Sequence, residues 1–378
     1  MDVDPWAFDV LLLNTQLVES IRETIRAQGP QSFAWFMQQA LYHPEHGYYS
    51  AGRCVIGRKG DYFTNVSVGP LFGKLMASQF FEIWERLGRT NDFLIVEQGA
   101  HDGQFARDAL EFVQNRFPEF FEALCYRILE PFPILQARQR RTLEMFGDKV
   151  EWRASPAPFT GVHYSNELLD AMPVRLISDG SEKLVDLDGD KFVFVERPVD
   201  SALFNQAALE SIDQIAVNLQ RGYMIAIDYG SLDETFDKAV QVRARHRNLN
   251  SPFEQIGDAD ITMSVHWTSI IERARANALS VAGFTDQHHF LTGIIFGFGK
   301  TSSPAPPADN FGQSLLADSK AKRELQTLLH PEMLGRAFQV LALAKNLDVE
   351  RNPLAGFKFA HQPANAAEET VKGGTSFT

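Results

Sequence analysis

The feature that most constrains the fold is a regular alternation of short apolar segments and helical segments through the middle of the chain. Segments of strand length run into turns, several of them with glycine, and then into stretches whose apolar residues recur every three or four positions. Strands are predicted at 93–96, 126–129, 150–152, 162–165 and 223–227, and helices at 104–115, 134–146 and 201–219. This order predicts an α/β fold with a mostly parallel sheet.

Further elements flank or interrupt this alternation and suggest the domain boundaries. Helices are predicted at 5–28, 32–41 and 70–87, and consecutive strands at 174–177, 183–187 and 191–195. A long glycine-rich loop separates the second helix from the third. We therefore predict an N-terminal helical cap with its loop at 1–90, a core domain at 91–345 with an insertion at about 173–200, and a loose tail at 346–378.

The composition excludes several classes of protein. Lys and Arg number 36 against 48 Asp and Glu, and the net charge of −12 argues against a nucleic-acid partner. Two cysteines, Cys54 and Cys125, can build neither a disulfide framework nor a cysteine-rich zinc site, and we predict no metal centre. No apolar run has the length of a membrane span, and the first residues are acidic where a targeting peptide is basic. We therefore expect a cytoplasmic protein.

Polar and acidic residues follow three of the predicted strands, where ligands bind in open α/β sheets. After the first strand, Gly99 and Gly103 allow a tight turn, and the next helix offers free N–H groups. The second strand ends in Glu130, at a position where a carboxylate can bind ribose hydroxyls, and the fourth ends in Asn166 and Glu167. Because the turn lacks the three-glycine spacing of a dinucleotide site, the order favours a nucleoside cofactor without a pyrophosphate, such as S-adenosylmethionine.

Eight segments, spread over most of the chain, carry a resemblance to a known family. They are ALYHPEHGYY (40–49), IGRKGDYFT (56–64), GPLFG (69–73), VEQGAHDG (96–103), NELLDAMP (166–173), IDYG (227–230), GDADIT (257–262) and MLGRAF (333–338). In this order they resemble the MidA-type class I S-adenosylmethionine-dependent methyltransferases, whose mitochondrial members methylate an arginine of a respiratory complex I subunit. The resemblance covers about residues 20–345. It is specific because several segments lie outside the cofactor-binding fold.

The resemblance implies a seven-stranded, Rossmann-like methyltransferase sheet with an N-terminal helical cap and an inserted segment after the fourth strand. It also implies S-adenosyl-L-methionine as the cofactor, held by the glycine turn, the acid after the second strand, the end of the fourth strand and the N-terminal loop. By position, the residues that would bind it are Gly60, Asp61, Thr64, Glu97, Gly99, Ala100, Asp102, Gly103, Glu130, Asn166 and Glu167.

The resemblance further implies a protein arginine as methyl acceptor, with a respiratory complex subunit as one candidate substrate. Because a guanidinium stays protonated and is oriented by bidentate carboxylates, Glu167 and Asp170 could form a clamp that Asp228 and Tyr229 complete. Alternatives are a helix cap for Asp170 and a structural hydrogen bond for Asp228. His246, in a basic loop, is a candidate general base for a hydroxyl acceptor, or else a solvated loop histidine.

Three positions depart from the family pattern. His101 stands where the family often has glycine, although His tolerates an unusual φ better than a β-branched residue does. Gln241 stands where an Arg is usual, with Arg243 and Arg245 nearby, and His266 stands where an acid is common. These departures leave the predicted cofactor site in place and leave the acceptor open.

Three functions follow from these observations. The first is a protein arginine N-methyltransferase of the complex I assembly type. The second is a small-molecule O- or N-methyltransferase, and the third is a non-catalytic assembly factor that keeps the fold to bind a partner. Catalysis is favoured because Gly99, Glu130 and the pair Asn166 and Glu167 are intact. A homodimer is compatible with each of the three.

Overall fold

The structure, a computed structural model, describes residues 5–52, 64–233, 236–245, 247–297, 318–349 and 352–360, with side chains from residue 15 onward. In these residues the helices are α1 (Pro5–Gln28), α2 (Phe33–Tyr42), α3 (Asn65–Val68), α4 (Leu71–Arg86), α5 (Gln104–Arg116), α6 (Pro118–Ala123), α7 (Pro133–Thr142), α8 (Gln206–Asn218), α9 (Trp267–Ala276), α10 (Gln287–Gly297) and α11 (Ser319–Leu329). The strands are β1 (Gln31–Ser32), β2 (Phe93–Gln98), β3 (Leu124–Leu129), β4 (Val150–Arg153), β5 (Phe159–Asn166), β6 (Leu176–Ser178), β7 (Ser181–Asp188), β8 (Lys191–Pro198), β9 (Leu219–Ser231), β10 (Val240–Ala244), β11 (Arg247–Asn248), β12 (Asp260–Met263), β13 (Val265–His266), β14 (Ser280–Asp286) and β15 (Phe338–Lys345).

The main sheet determines where a ligand can bind. Among the described residues it has eight strands: seven follow the order β14, β15, β9, β5, β2, β3, β4, and the two-residue strand β13 pairs with the end of β9. Strands β9, β5, β2, β3 and β4 run parallel, whereas β15 runs antiparallel between β9 and β14. The predicted α/β fold is confirmed, with β13 added to the predicted seven strands. Successive strands are added on opposite sides of β2, which leaves a crevice at the carboxyl ends of β2 and β5.

Helices α4 and α5 pack on the sheet and build the main core. Phe80 of α4 and Phe105 of α5 both contact Tyr164 of β5, with ring centroids 5.6 and 4.4 Å away. All three side chains are buried, and each aromatic side chain removes a large apolar area from water. The sequence grouped α4 with the cap, before the boundary at residue 90, but its packing joins α4 to the core domain.

The N-terminal cap and the inserted strands share a second core. Strand β1 pairs antiparallel with β7, and Ser32 lies opposite Leu184. Leu17 of α1 and Phe36 of α2 are fully buried there, and the Phe36 ring lies edge-on to Phe192 of β8 at 6.2 Å. The predicted strands of the insertion are present as β6, β7 and β8. The insertion therefore supports the cap.

The described part of the C-terminal segment, residues 352–360, is packed. The backbone N–H of Ala355 donates to Glu82 Oε2 at 2.9 Å, and the Phe357 ring lies 5.1 Å from that of Phe290. Phe357 and Phe290 are both buried. The prediction of a loose tail from residue 346 is therefore wrong for this stretch, because its apolar side chains complete the core beside α10. The rest of the predicted tail lies outside the described residues.

Candidate active site

A cavity of about 530 Å³ opens at the carboxyl ends of β2, β3 and β5. Its volume lies within the range of small-molecule binding sites. The main sheet forms one part of its wall, α8 contributes Glu210 and Gln214, and the cap contributes Tyr42 and Tyr49. The cavity occupies the crevice that the strand order creates, which is where open α/β sheets bind ligands.

The turn between β2 and α5 forms the wall nearest the centre of the sheet. Gly99 and Gly103 adopt φ angles of 84° and 83°, and His101 between them adopts 48°. These left-handed values favour glycine, which explains the two glycines of the turn. The expectation that the turn accommodates His101 in an unusual φ is confirmed. A Cβ atom on Gly99 would lie 3.3 Å from Leu168, so a side chain there would crowd the crevice.

Glu97, one residue before the end of β2, is a buried acid on the cavity wall. Burial raises the pKa of Glu97 to about 8, although the hydrogen bond that Tyr126 donates to Oε2 at 2.8 Å opposes the rise. The carboxyl group is therefore mostly protonated at neutral pH in the free protein. It can donate a hydrogen bond to a ligand in this state, or bind a cation in its ionised state.

Glu130 lies just after β3 and is fixed on both carboxylate oxygens. Oε1 accepts the backbone N–H of Phe132 at 3.0 Å, and Oε2 accepts the side-chain amide of Gln139 at 3.0 Å. The same amide donates to the carbonyl of His101 at 3.0 Å, and Gln139 Oε1 accepts the indole N–H of Trp152. Gln139 thus connects the acid after β3 to the glycine turn. Sequence reasoning missed it, because its position on α7 carries no signal beyond helical spacing.

Asn65 connects the N-terminal region to the end of β5. This fully buried residue donates from Nδ2 to Asn166 Oδ1 at 3.0 Å, and its backbone N–H lies 3.4 Å from Glu167 Oε1. Asn166 Nδ2 donates to the same oxygen at 2.8 Å, which leaves Oε2 of Glu167 out of this network. Glu167 itself has a φ of 53° and lies on the cavity wall. The only sequence signal for Asn65 was its place directly after Thr64.

Two acids lie behind the cavity wall. Asp228 Oδ2 accepts the backbone N–H groups of Leu168, Leu169 and Asp170 at 3.1, 2.9 and 3.3 Å, and Oδ1 accepts that of Tyr229 at 2.9 Å. Asp228 therefore anchors the turn that carries Glu167. Asp170 is also buried, and its Oδ1 accepts no hydrogen bond from the described residues.

The ionisation of these acids is strongly perturbed. Burial and the charge of Asp170 raise the pKa of Glu167 to about 8. Burial and the charge of Asp228 raise the pKa of Asp170 well above its ordinary value. Burial and the charge of Glu167 likewise raise the pKa of Asp228 to about 8, although the backbone N–H groups that Asp228 accepts oppose the rise.

Two tyrosines of the cap extend to this acidic region. The Tyr49 hydroxyl donates to Asp260 Oδ1 at 2.6 Å, and the Tyr42 hydroxyl donates to the carbonyl of Ala171 at 3.1 Å. Asp260 is buried, and its charge acts on Glu167. Sequence reasoning missed these residues, although all of them except Ala171 lie in segments 40–49 and 257–262, which carried the family resemblance.

The structure brings most of the predicted site residues together. Residues on the cavity wall are Thr64, Glu97, Gly99, Ala100, Asp102, Glu130, Asn166 and Glu167. Gly103 shapes the turn, and Asp170, Asp228 and Tyr229 lie outside the lining, with the Tyr229 hydroxyl hydrogen-bonded to Thr262 at 2.7 Å. Asp228 was predicted either to contact an acceptor or to make a structural hydrogen bond. The structure has the second arrangement, because backbone N–H groups donate to both oxygens. Gly60, Asp61 and His246 lie outside the described residues.

Two of the departures from the family pattern have local partners. Gln241 accepts a hydrogen bond from Arg243 at 2.8 Å, and His266 is paired with Asp233.

In the described part of the chain no helix is long and apolar enough to cross a membrane. A group of three or more His, Cys, Asp or Glu arranged to hold a metal ion is likewise absent from those residues.

The residues of the cavity suit an adenosine-containing cofactor. A fixed carboxylate at Glu130 can accept from ribose hydroxyls, and Phe132 and Leu135 add apolar surface beside it. The glycine turn lets a ligand approach the backbone closely, and Glu97 and Asn166 complete the wall. With a reversed strand β15 in the sheet, the fold and site define a class I methyltransferase that uses S-adenosylmethionine.

Comparisons with known proteins agree with this class. Residues 75–285 match the family described as "Putative S-adenosyl-L-methionine-dependent methyltransferase". The chain is 31% identical to human mitochondrial protein arginine methyltransferase NDUFAF7, over 87% of this chain and 83% of the relative, and 27% identical to its Drosophila melanogaster homolog, over 90% and 88%. A Burkholderia thailandensis protein solved with S-adenosyl-homocysteine superimposes with a TM-score of 0.81 at 27% identity, covering 95% of this chain and 98% of that one. The chain belongs to this family of S-adenosyl-L-methionine-dependent methyltransferases and is an enzyme of that class.

Proposed function

We propose that this methyltransferase modifies arginine side chains of a protein acceptor. The observation that carries the proposal is the group of buried acids beside the cofactor residues. Glu167 lies on the cavity wall, and Asp170 behind it has a buried oxygen without a hydrogen-bond partner among the described residues. The largest charge effects on both come from other carboxyl groups.

A cationic acceptor would relieve this crowding of acids. Burying carboxyl groups together is costly unless they are protonated or joined by a cation. A guanidinium is planar, always charged and able to bind two carboxylates through its fork of N–H groups. The names of the relatives from Homo sapiens and Drosophila melanogaster, both called protein arginine methyltransferases, support the same acceptor.

The residues of the chain would divide the work of transfer. When bound, the cofactor supplies a methyl group on a sulfonium. Glu130 and the glycine turn would hold it, and Glu167 would contact the guanidinium, with Asp170 behind the cavity wall acting through its effect on Glu167. Glu167 would then accept the proton that the methylated nitrogen loses, and a pKa of about 8 suits a base that works near neutral pH. The cap contributes Tyr42 and Tyr49 to the cavity wall, and exclusion of water by these rings would favour the displacement.

The test is transfer of labelled methyl groups. The purified enzyme is incubated with methyl-labelled cofactor and a lysate of cells from which its gene has been deleted, so that the acceptor is unmodified. We expect label in the protein fraction that acid hydrolysis releases as methylarginine, and loss of this label with Glu167→Gln. Label confined to small molecules would instead support an O- or N-methyltransferase of small acceptors. Absence of transfer, with normal cofactor binding, would favour a non-catalytic assembly factor.

The partner and location stay part of the proposal. We propose a protein acceptor that presents an arginine on an accessible segment, with a respiratory complex subunit as the first candidate. A cytoplasmic location and a homodimer are further proposals. Fractionation of cells and sedimentation of the purified enzyme test the two points separately.

A further inference from the structure

We propose that Tyr42 and Tyr49 set the acceptor specificity of this enzyme by presenting an aromatic wall that prefers a planar guanidinium over an ammonium group. The inference rests on the proposed function, because it names residues that would select the acceptor at the same site. No residue of the cofactor-binding turn takes part in it.

The two tyrosines contact the segments that carry the buried acids. Both line the cavity together with Glu167, and both are half-buried. Their rings are stacked, with centroids 5.6 Å apart and planes inclined by 25°. Buried Tyr48 packs against the Tyr49 ring at 5.0 Å without lining the cavity. Stacking covers part of each ring, and the remaining surface of the pair lines the cavity in a position fixed by the cap.

Their hydroxyl groups tie this surface to the acids. Tyr49 donates to Asp260, whose charge acts on Glu167, and Tyr42 donates to the carbonyl of Ala171, next to Asp170. Each ring is thus held by packing on one side and by a hydrogen bond at its polar end. A cation drawn to the carboxyl groups would meet the aromatic surface at the same place.

The carboxyl groups and the tyrosine rings differ in whether they can distinguish an arginine side chain from a lysine side chain. Carboxyl groups attract an arginine or a lysine side chain alike, because both carry a positive charge. An aromatic face favours the guanidinium, which is delocalised, planar and weakly hydrated, whereas an ammonium group is compact and strongly hydrated. The acids would therefore supply attraction, and the tyrosine pair would supply the choice between the two cations.

Binding of small probes tests the inference. With S-adenosyl-homocysteine present, Nα-acetyl-arginine methylamide and Nα-acetyl-lysine methylamide are titrated into wild type, Tyr42→Leu, Tyr49→Leu and Tyr49→Phe, and Kd is measured by calorimetry. We expect wild type to prefer the arginine probe. Each Leu variant should weaken its binding about two- to thirtyfold and the lysine probe less. Tyr49→Phe should keep the preference because it keeps the ring.

Tyr48→Leu is the matched control for damage to the cap. It should keep the arginine preference, since Tyr48 is buried and does not line the cavity. The inference is overturned if both Leu variants at the cavity keep the preference, or if Tyr48→Leu loses it equally. If either of these results is found while the lysate assay still yields methylarginine, this inference is refuted and the proposed function is not. No methylarginine, and no binding of either probe by wild type, would refute the proposed function as well.

Discussion

The side-chain amide of Gln139 lies 3.0 Å from Glu130 Oε2 and donates a hydrogen bond to it. The same nitrogen donates to the carbonyl of His101, in the glycine turn. One residue of α7 therefore holds in register the two features on which cofactor binding depends, the acid after β3 and the turn after β2. Both features can be predicted from the sequence, but the hydrogen bonds that link them are visible only in the fold.

Removing this link should weaken cofactor binding without any change in the residues predicted to touch the cofactor. Gln139→Leu is expected to raise the Kd of S-adenosyl-homocysteine about tenfold, because Glu130 and the turn lose a shared donor. Calorimetric titration measures the change. Trp152→Phe, which removes only the indole donor to Gln139 Oε1, should bind almost as wild type does. An unchanged Kd in Gln139→Leu would show that Glu130 is positioned without it.

Substitution of Glu130 should affect cofactor binding, whereas substitution of Asp170 should affect methyl transfer. Glu130→Ala is expected to remove detectable binding of the cofactor, because the carboxylate for the ribose is lost. Asp170→Ala should bind the cofactor normally and transfer methyl groups at least about tenfold more slowly, since Asp170 lies outside the cofactor wall. Calorimetry and the labelled-methyl assay measure the two properties. Normal binding in both variants would contradict the site assignment.

Asp228 should act through the fold. Asp228→Asn is expected to lower the free energy of unfolding by about 2 kcal/mol, because Asn has only one side-chain oxygen, whereas both oxygens of Asp228 accept backbone N–H groups. Chemical denaturation measures this loss. Asp170→Asn is the comparison, and it should keep wild-type stability or gain some. Equal stability in Asp228→Asn and wild type would point to a direct role of Asp228 at the acceptor.

The stability of the free enzyme should fall as the pH rises. The pKa of Glu167 is about 8 in the folded state, above its ordinary value of 4.5. The folded protein therefore keeps a proton that the unfolded chain releases, and this contribution is complete below about pH 4.5 and is lost as the pH approaches 8. Tm measured from pH 5 to pH 8 should decline less in Glu167→Gln than in wild type. Parallel curves would mean that Glu167 titrates normally.

A charge next to Glu167 should move the pH dependence of catalysis. If Glu167 must be ionised to act, kcat/KM rises with pH through about 8 in wild type. Asn65→Asp places another carboxyl group against Asn166, which is hydrogen-bonded to Glu167, and should shift this rise to higher pH because like charges oppose ionisation. Asn65→Ala, which removes the hydrogen bond of the side-chain amide without adding a charge, is the control and should shift the pH dependence less.

The sequence predicts well those parts of the fold that are encoded locally. The strand at 93–96 and the helix at 104–115 were placed within two residues of their observed ends, because apolar runs and the glycine turn are local signals. The two-residue strand β1 was missed, because its partner β7 is far away in the chain and so short a strand has no period. The packing of Phe357 was missed for the same reason.

In the site as well, residues marked by a local pattern could be predicted, and residues that act through distant contacts could not. Glu130 and Glu167 follow predicted strands and could be identified from that position. Gln139 and Asn65 act through contacts with residues distant in sequence, so no local pattern marks them. Asp228 was recognised as an acid at a strand end, but such an acid looks the same whether it faces a ligand or binds backbone N–H groups. Only the hydrogen bonds distinguish the two roles.

The pairing of β1 with β7 has a consequence for biosynthesis. The apolar side chains of α1 and α2, such as Leu17 and Phe36, are covered in part by strands that follow β5 in the chain. When the N-terminal helices leave the ribosome, their partners have not yet been translated, so this surface stays exposed until β8 has emerged. Chains with such long-range contacts fold slowly and risk aggregation in the interval. We expect nascent chains that end before β7 to depend on chaperones, and those that extend past β8 to depend on them less.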